Sequence, residues 1–497
     1  MVSPRARPNY RPHEQPHLAP VRTDVHVRLD RLPWSRFHWL VVGALGASWA
    51  IDGLEVTLAG AVGAVLEQPA SLGLSSAQVG AAASAYLLGA VIGALVCGYL
   101  TDRHGRKRLF FVTLAIYLAG TLLTAFAWDF WSLAAFRWIT GFGIGGEYAA
   151  INSAIDELIP ARVRGRVNLF INGSYWIGAA AGALGTLVLL DVALFPVDVG
   201  WRLGFGIGAT LGLLVLFARR HIPESPRWLV MHGYQSQALA VMADLETRTG
   251  ARTAPEAIGR TALADCLIIY PRRHINLRDL VHVLFRRYPR RSVLGLTLIT
   301  SQAFLYNAIF FTYALVLVRF YGVPAGNTGI YLLPFALGNF LGPLLLGRFF
   351  DTIGRRVSIA TTYAISGLLL LATGALFRHD LLTAQEQTLL WAVIFFFASA
   401  AASAAYLTVS ELFPLELRAL AIAVFFALGT AIGGVAAPWL FGALIGTGSR
   451  ESVFLGYALG AGLMLVAAAI EAWLGVDAER RSLEHVAPPL FTRDGMS

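Results

Sequence analysis

Long apolar stretches alternate with short polar ones along the whole chain. The apolar stretches run about 20 to 28 residues, enough for a helix rising about 1.5 Å per residue to cross a hydrocarbon layer about 30 Å thick. They predict helices near 38–66, 78–101, 108–127, 131–155, 168–190 and 201–219, and again near 292–319, 326–350, 357–377, 387–411, 419–444 and 452–474. The expected fold class is therefore an all-α membrane protein of about twelve transmembrane helices. Composition points the same way: of 497 residues, 56% are hydrophobic and only 14% charged, too much apolar surface for one soluble core.

The charges decide orientation. The net charge of +9 comes from residues placed in alternate loops, not from a patch on a folded domain, so a nucleic-acid partner is not expected. Arg103, Arg106, Lys107 and Arg108 follow span two, and Arg162, Arg164 and Arg166 follow span four. The stretch 220–291 is dense in Arg, while 67–77 has no Lys or Arg and 191–200 carries only Asp191 and Asp198. Positive loops stay inside, so both termini are expected in the cytoplasm and the protein in the cell membrane. The expected organisation is a disordered basic tail (1–37), a six-helix half (38–219), a cytoplasmic connector (220–291), a second six-helix half (292–475) and a tail (476–497). No signal peptide is expected, because no small-residue cleavage site follows the first apolar run. Cys97 lies inside span two and Cys266 in the connector, so neither a disulfide between them nor a metal site is expected.

The two halves repeat one another. Gly98-Tyr-Leu-Thr-Asp102-Arg103-His-Gly105-Arg106-Lys107 after span two returns as Gly347-Arg-Phe-Phe-Asp351-Thr-Ile-Gly354-Arg355-Arg356 after span eight. Glu157-Leu-Ile-Pro160-Ala-Arg-Val-Arg164 after span four returns as Glu411-Leu-Phe-Pro414-Leu-Glu-Leu-Arg418 after span ten. Duplicated six-helix halves with a site between them are a transporter architecture. At these residues the chain resembles the major facilitator superfamily, whose loop signature is G-x-x-x-D-R-x-G-R-[RK].

Arg137-x-x-x-Gly141-x-Gly143-x-Gly145 and Pro223-Glu224-Ser225-Pro226-Arg227-Trp228 look like the sugar porters, the metabolite:proton symporters and the synaptic-vesicle-glycoprotein-like carriers. Asp52-Gly53-Leu54-Glu55 resembles the D-G-[YF]-D of organic-acid:proton symporters, with Glu in place of the last Asp. The span-seven sugar signature is reduced to Gln302. The resemblance covers 38–475 and leaves the substrate open.

The loop signature also has a direct physical reading. Gly105 supplies the backbone freedom of a tight turn, and Asp102 can sit against a helix N-terminus or pair with Arg106. Such a latch can bias which side is open. The resemblance adds Arg137, Glu157 and Arg164 to the same network, with Asp351, Arg355, Glu411 and Arg418 as second-half counterparts. The alternative is that Arg103, Arg106, Lys107 and Arg108 only fix orientation.

Ionisable groups inside a membrane are expensive, so Asp52, Glu55, Arg137 and Glu147 stand out. Counted along the helices, Asp52 and Arg137 both lie about 20 Å from the cytoplasmic side, and Glu147 about 6 Å from it. Asp52 and Glu55 are three residues apart, on one side of their helix. Either protonation of one acid breaks an ion pair with Arg137 and licenses a conformational change, or the cluster is permanently paired and structural.

The second half offers neutral polar stripes. Gln302, Tyr306 and Tyr313 share a face of span seven with Asn307 adjacent, and Ser399, Ser403, Tyr406 and Ser410 line span ten. Asn168, Asn172 and Trp176 do the same on span five, and Asn339 and Trp439 are further candidates for the cavity wall. These residues suit a hydroxylated or carboxylated metabolite; the alternative is interhelical hydrogen bonding in lipid.

Enzyme readings are poor. Gly141-Phe-Gly143-Ile-Gly145-Gly146 contains G-x-G-x-x-G, but inside an apolar helix, and no Walker A sequence occurs. The sequence thus predicts a cofactor-free, monomeric secondary carrier, most simply a proton symporter of a sugar, polyol or organic acid. The alternatives are an efflux antiporter, a uniporter or a membrane sensor of the same fold.

Overall fold

The computed structural model describes residues 21–219, 222–251, 267–269, 282–413 and 418–476. The chain begins with β1 (Val21–Thr23) and α1 (Val25–Arg31). The first six long helices are α2 (Arg36–Leu66), α3 (Ser76–His104), α4 (Arg106–Thr124), α5 (Phe130–Leu158), α6 (Ala161–Leu189) and α7 (Val197–Arg219). The connector holds α8 (Pro226–Met231), α9 (Gln235–Thr249) and β2 (Leu267–Ile269). The second half runs α10 (Pro289–Tyr321), α11 (Leu333–Thr352) after a 3-10 segment, α12 (Arg355–Arg378) and α13 (Ala384–Leu412). One further span follows as α14 (Arg418–Gly429), a π-helical turn (Thr430–Val435) and α15 (Ala436–Gly446), and α16 (Arg450–Leu474) is the last.

Ten of these spans are long and apolar enough to cross a membrane among the described residues. The other two, α5 and α6, are 29 residues each and carry more polar positions. Together they make the expected twelve.

Both halves pack alike. In each, the first helix lies on the fifth, the second on the fourth and the third on the sixth, and the halves meet through α2 with α10, α3 with α14 and α15, and α6 with α11. Small residues permit this closeness. A Cβ on Gly141 or Gly145 would overlap the carbonyls of Tyr86 and Ala90, and one on Gly143 would overlap Tyr117. The G-x-G-x-x-G run is therefore where α5 presses against α3 and α4.

The expected disordered tail is corrected by the structure for residues 21–37. β1 pairs antiparallel with β2, Val21 opposite Ile269 and Thr23 opposite Leu267. Val25 and Leu29 on α1 and Leu32 at its C-cap are buried in one cluster with Trp228, Met242 and Leu245 of the connector and with α2, α5 and α6. Arg28 donates to both carboxylate oxygens of Glu246 at 2.8 Å, and Arg227 donates to Asp30 at 3.4 Å. Spacing of i, i+4 and i+7 gives α1 an apolar face, which the Pro- and Arg-rich composition around it conceals.

Candidate functional site

The buried charges sit in the first half. Arg137 on α5 donates to Glu55 on α2; the two residues are 4% and 1% exposed. Thr121 of α4 donates to the other Glu55 oxygen at 3.1 Å, and the guanidinium lies 4.4 Å over the Tyr86 ring. Arg137 Nη2 is buried with no hydrogen-bond partner. Asp52 is held differently: Tyr86 Oη donates to it at 3.4 Å. A narrow cleft lined by Val62, Val79, Leu133, Phe205 and Phe311 includes Arg137 in its wall.

Glu147 is not paired with Arg137. It pairs with Arg219 at the end of α7, whose Nε also donates to Ser48 at 3.1 Å. One Glu147 oxygen, Oε2, is left without a hydrogen-bond partner. From sequence, Glu147 stands with Asp52, Glu55 and Arg137 as an acid inside an apolar stretch, and Arg219, at the end of span six, is not among the candidates.

Between the halves lies a circlet of aromatic rings. Tyr148 of α5 stacks on Phe426 at 4.6 Å and meets Tyr406 at 5.3 Å and Trp49 at 4.8 Å. Trp49 leads to Tyr175 at 6.3 Å, Tyr175 to Trp176 at 4.8 Å, and Trp176 crosses to Tyr306 and Phe310 of α10 at 6.1 and 5.5 Å. Tyr306 and Phe310 lie nearly parallel, 5° apart, and Phe395 backs both. Gln302 Nε2 donates to Tyr406 at 2.9 Å and closes the circlet. Tyr306 Oη donates to Asn339 at 2.6 Å, Ser399 to the Asn339 carbonyl at 2.8 Å, and Asn307 to the Ala303 carbonyl at 2.8 Å. Tyr148, Tyr175, Trp176, Tyr306 and Tyr406 stay half-buried although they lie inside the bundle, so they face open space, as do Asn172, Asn307 and Ser403.

Two expected wall residues lie elsewhere. Tyr313 is buried in the second half against Trp391 and Phe335, hydrogen-bonded with Thr388 at 2.8 Å, because it lies about two turns beyond Tyr306 on α10. Trp439 is 54% exposed on α15, turned outward because Pro438 and Gly442 beside it face α3. The side chains of Asp102, Glu157, Arg164, Asn168, Asp351, Ser410, Glu411 and Arg418 fall outside the described residues.

A family model described as "Sugar (and other) transporter" matches residues 43–488. The chain belongs to this family of membrane transporters. Like its relatives, it is a multi-pass membrane protein of the major facilitator fold. It is 26% identical to the niacin transporter of Acinetobacter baylyi over 93% of this chain and 99% of that one. It is 29% identical to myo-inositol transporter 2 of Schizosaccharomyces pombe over 78% of this chain and 70% of that one. Its fold matches a proton:xylose symporter bound to 6-bromo-6-deoxy-D-glucose, with a TM-score of 0.72 at 18% identity over 91% of this chain and 98% of that one.

In this sugar-transporter fold the loop after α3 is held by a residue the sequence reading used only as a family marker. Gly105 turns the chain at φ 92°, and Gly354 does the same in the second half at φ 112°. Glu224, from the Pro-Glu-Ser-Pro-Arg-Trp stretch, accepts the backbone N–H of Arg106 at 2.9 Å and of Lys107 at 3.2 Å. It thereby caps α4 from outside, the place proposed for Asp102. Arg103 is exposed, Arg106 is buried and Arg355 is half-buried.

Burial pushes the Glu224 carboxyl above its ordinary range, against the pull of these donors and Arg106. Sequence reasoning also missed Ser48, Thr121, Tyr86 and Arg219. A hydroxyl in an apolar helix gives no signal of its own, and only Arg219 carried one, being charged.

Proposed function

We propose that this transporter is a proton-coupled symporter of a small polar metabolite, working by alternating access as a monomer with no cofactor and no nucleic-acid partner. One observation carries the reading: a buried Glu55–Arg137 pair stands beside a half-exposed chamber whose second-half wall is neutral and polar. Protonating Glu55 removes the charge that balances Arg137, and an unbalanced buried charge costs about 3 to 5 kcal/mol. The helices must then rearrange. Asp52, bonded to the Tyr86 hydroxyl whose ring lies under Arg137, gives the proton a second acid nearby.

Asn168, Asn172, Trp176, Gln302, Tyr306, Asn307, Asn339, Ser403 and Tyr406 form the substrate wall in this reading. The loop residues Asp102, Arg103, Gly105, Arg106, Glu157, Arg164, Asp351, Arg355, Glu411 and Arg418 set the balance between conformations. The end bearing both termini is cytoplasmic, on the strength of its Arg-rich loops.

The test is transport in liposomes with an imposed pH gradient. Glu55→Gln abolishes uphill accumulation and spares counterflow, because exchange needs substrate binding but not proton release. Arg137→Ala damages both, since it strands buried acids. A Glu55→Gln protein that accumulates substrate as wild type does removes the coupling role.

A further inference from the structure

Three features of the chamber bear on what it carries. Its walls are rings on both sides: Trp49, Tyr175 and Trp176 from the first half and Tyr306, Phe310 and Tyr406 from the second. The polar groups of the second half are largely bonded to one another already. Gln302 is bonded to Tyr406, Tyr306 to Asn339, and the Asn307 and Asn339 amides to carbonyls of their own helix. A polyhydroxylated sugar offers a donor and acceptors at every carbon and would have to break these bonds or leave its hydroxyls unmatched, at a cost for each. Finally, Trp49 Nε1 is a buried donor with no partner, within the circlet itself.

We infer that the carried molecule is built on a single flat unsaturated ring bearing a hydrogen-bond acceptor. The inference rests on the carrier reading and narrows its substrate. A flat ring offers its faces to the aromatic walls and needs few hydrogen bonds, which matches walls whose polar groups are mutually satisfied. An acceptor on its edge answers the Trp49 donor. The same arrangement explains how binding closes the chamber: Trp176 lies on α6 and Tyr306 with Phe310 on α10, so a ring lodged between them contacts both halves at once. Those contacts exist only when the halves are together, so the ligand favours the closed state by its differential affinity.

The experiment is a thermal-shift titration of purified protein with benzoate, nicotinate and nicotinamide, against xylose and myo-inositol at matched concentrations, followed by counterflow in liposomes. The ring compounds raise the melting temperature and exchange; the two polyols do neither. Trp176→Ala weakens ring binding about tenfold, the scale of one lost aromatic pair, whereas Trp176→Phe keeps most of it, which separates ring loss from misfolding. Stabilisation by xylose or myo-inositol alone overturns the inference, as does a folded wild-type protein that binds none of the ring probes, or a Trp176→Ala protein that binds them unchanged. Failure of the coupling reading looks different: ring compounds then exchange by counterflow but never accumulate against a gradient.

Discussion

Arg219 shows what one residue can hide in a sequence. It ends α7, where a positive charge is expected for topology alone, yet the structure buries it against Glu147, Ser48 and the Phe110 carbonyl. The Glu55–Arg137 pair was legible, because an acid and an Arg deep inside apolar stretches have few bland explanations. Arg219 was not, because its position in the chain already had one. Removing only the cation leaves Glu147 charged and alone in the interior, a loss of about 3 to 5 kcal/mol. Arg219→Ala is therefore expected to lower the melting temperature of the purified protein sharply. The double variant Glu147→Gln with Arg219→Met recovers much of the loss, since it removes both charges and keeps the volume. A single Arg219→Ala variant as stable as wild type would show that the pair holds nothing together.

At the scale of elements, the sequence placed every span within several residues but misjudged what touches their ends. Helix α4 starts at a glycine with φ 92°, and a Cβ there would come within 2.5 Å of the Glu224 carboxylate that caps the helix. Gly105→Ala thus strains the backbone and displaces the cap together, and is expected to lower the melting temperature more than the same change at Gly43, where a Cβ meets nothing. Glu224 adds a pH dependence with a defined sign. Its folded value is raised above 4.5, so its contribution is fullest below that pH and is lost as pH rises through the folded value. Melting temperatures of wild type relative to Glu224→Gln are therefore expected to fall from about pH 4.5 upward and then level off. A relative stability that climbs with pH would mean the helix cap outweighs burial. Helix α1 teaches the complementary lesson. Its register of Val25, Leu29 and Leu32 was readable, but composition dominated the window, and its partners on α9 lie more than two hundred residues away.

Across the whole molecule, the repeat in the loops foretold two halves, while the contacts that close them left no mark in the sequence. At the end of the bundle away from the start of α2 and the end of α16, α3 runs tight against the last span but one: a Cβ on Gly80 would overlap the Pro438 carbonyl, and one on Gly442 would approach the Ser76 carbonyl at 2.7 Å. The π-helical turn Thr430–Val435 interrupts that span here, and Ser84 of α3 donates to the Val435 carbonyl at 2.7 Å. A π-turn interrupts the regular backbone ladder, and Ser84 ties the interrupted span to α3 across this seam. At the other end, Tyr148 stacks on Phe426 and Gly98 lies against Ala423. Each end thus has its own contact between the halves, and in the alternating-access cycle proposed above one opens while the other holds. Gly80→Leu puts a branched side chain where only a hydrogen fits, so the seam at Ser84 cannot close, whereas the seal at Tyr148 is untouched. In a background without Cys97 and Cys266, Ser84→Cys should then react with an impermeant thiol reagent several-fold faster when Gly80→Leu is present. Counterflow should fall in the same protein, because a carrier held open at one end cannot complete its cycle. Equal labelling rates with and without Gly80→Leu would mean that this contact does not govern access, and that the halves separate along another seam.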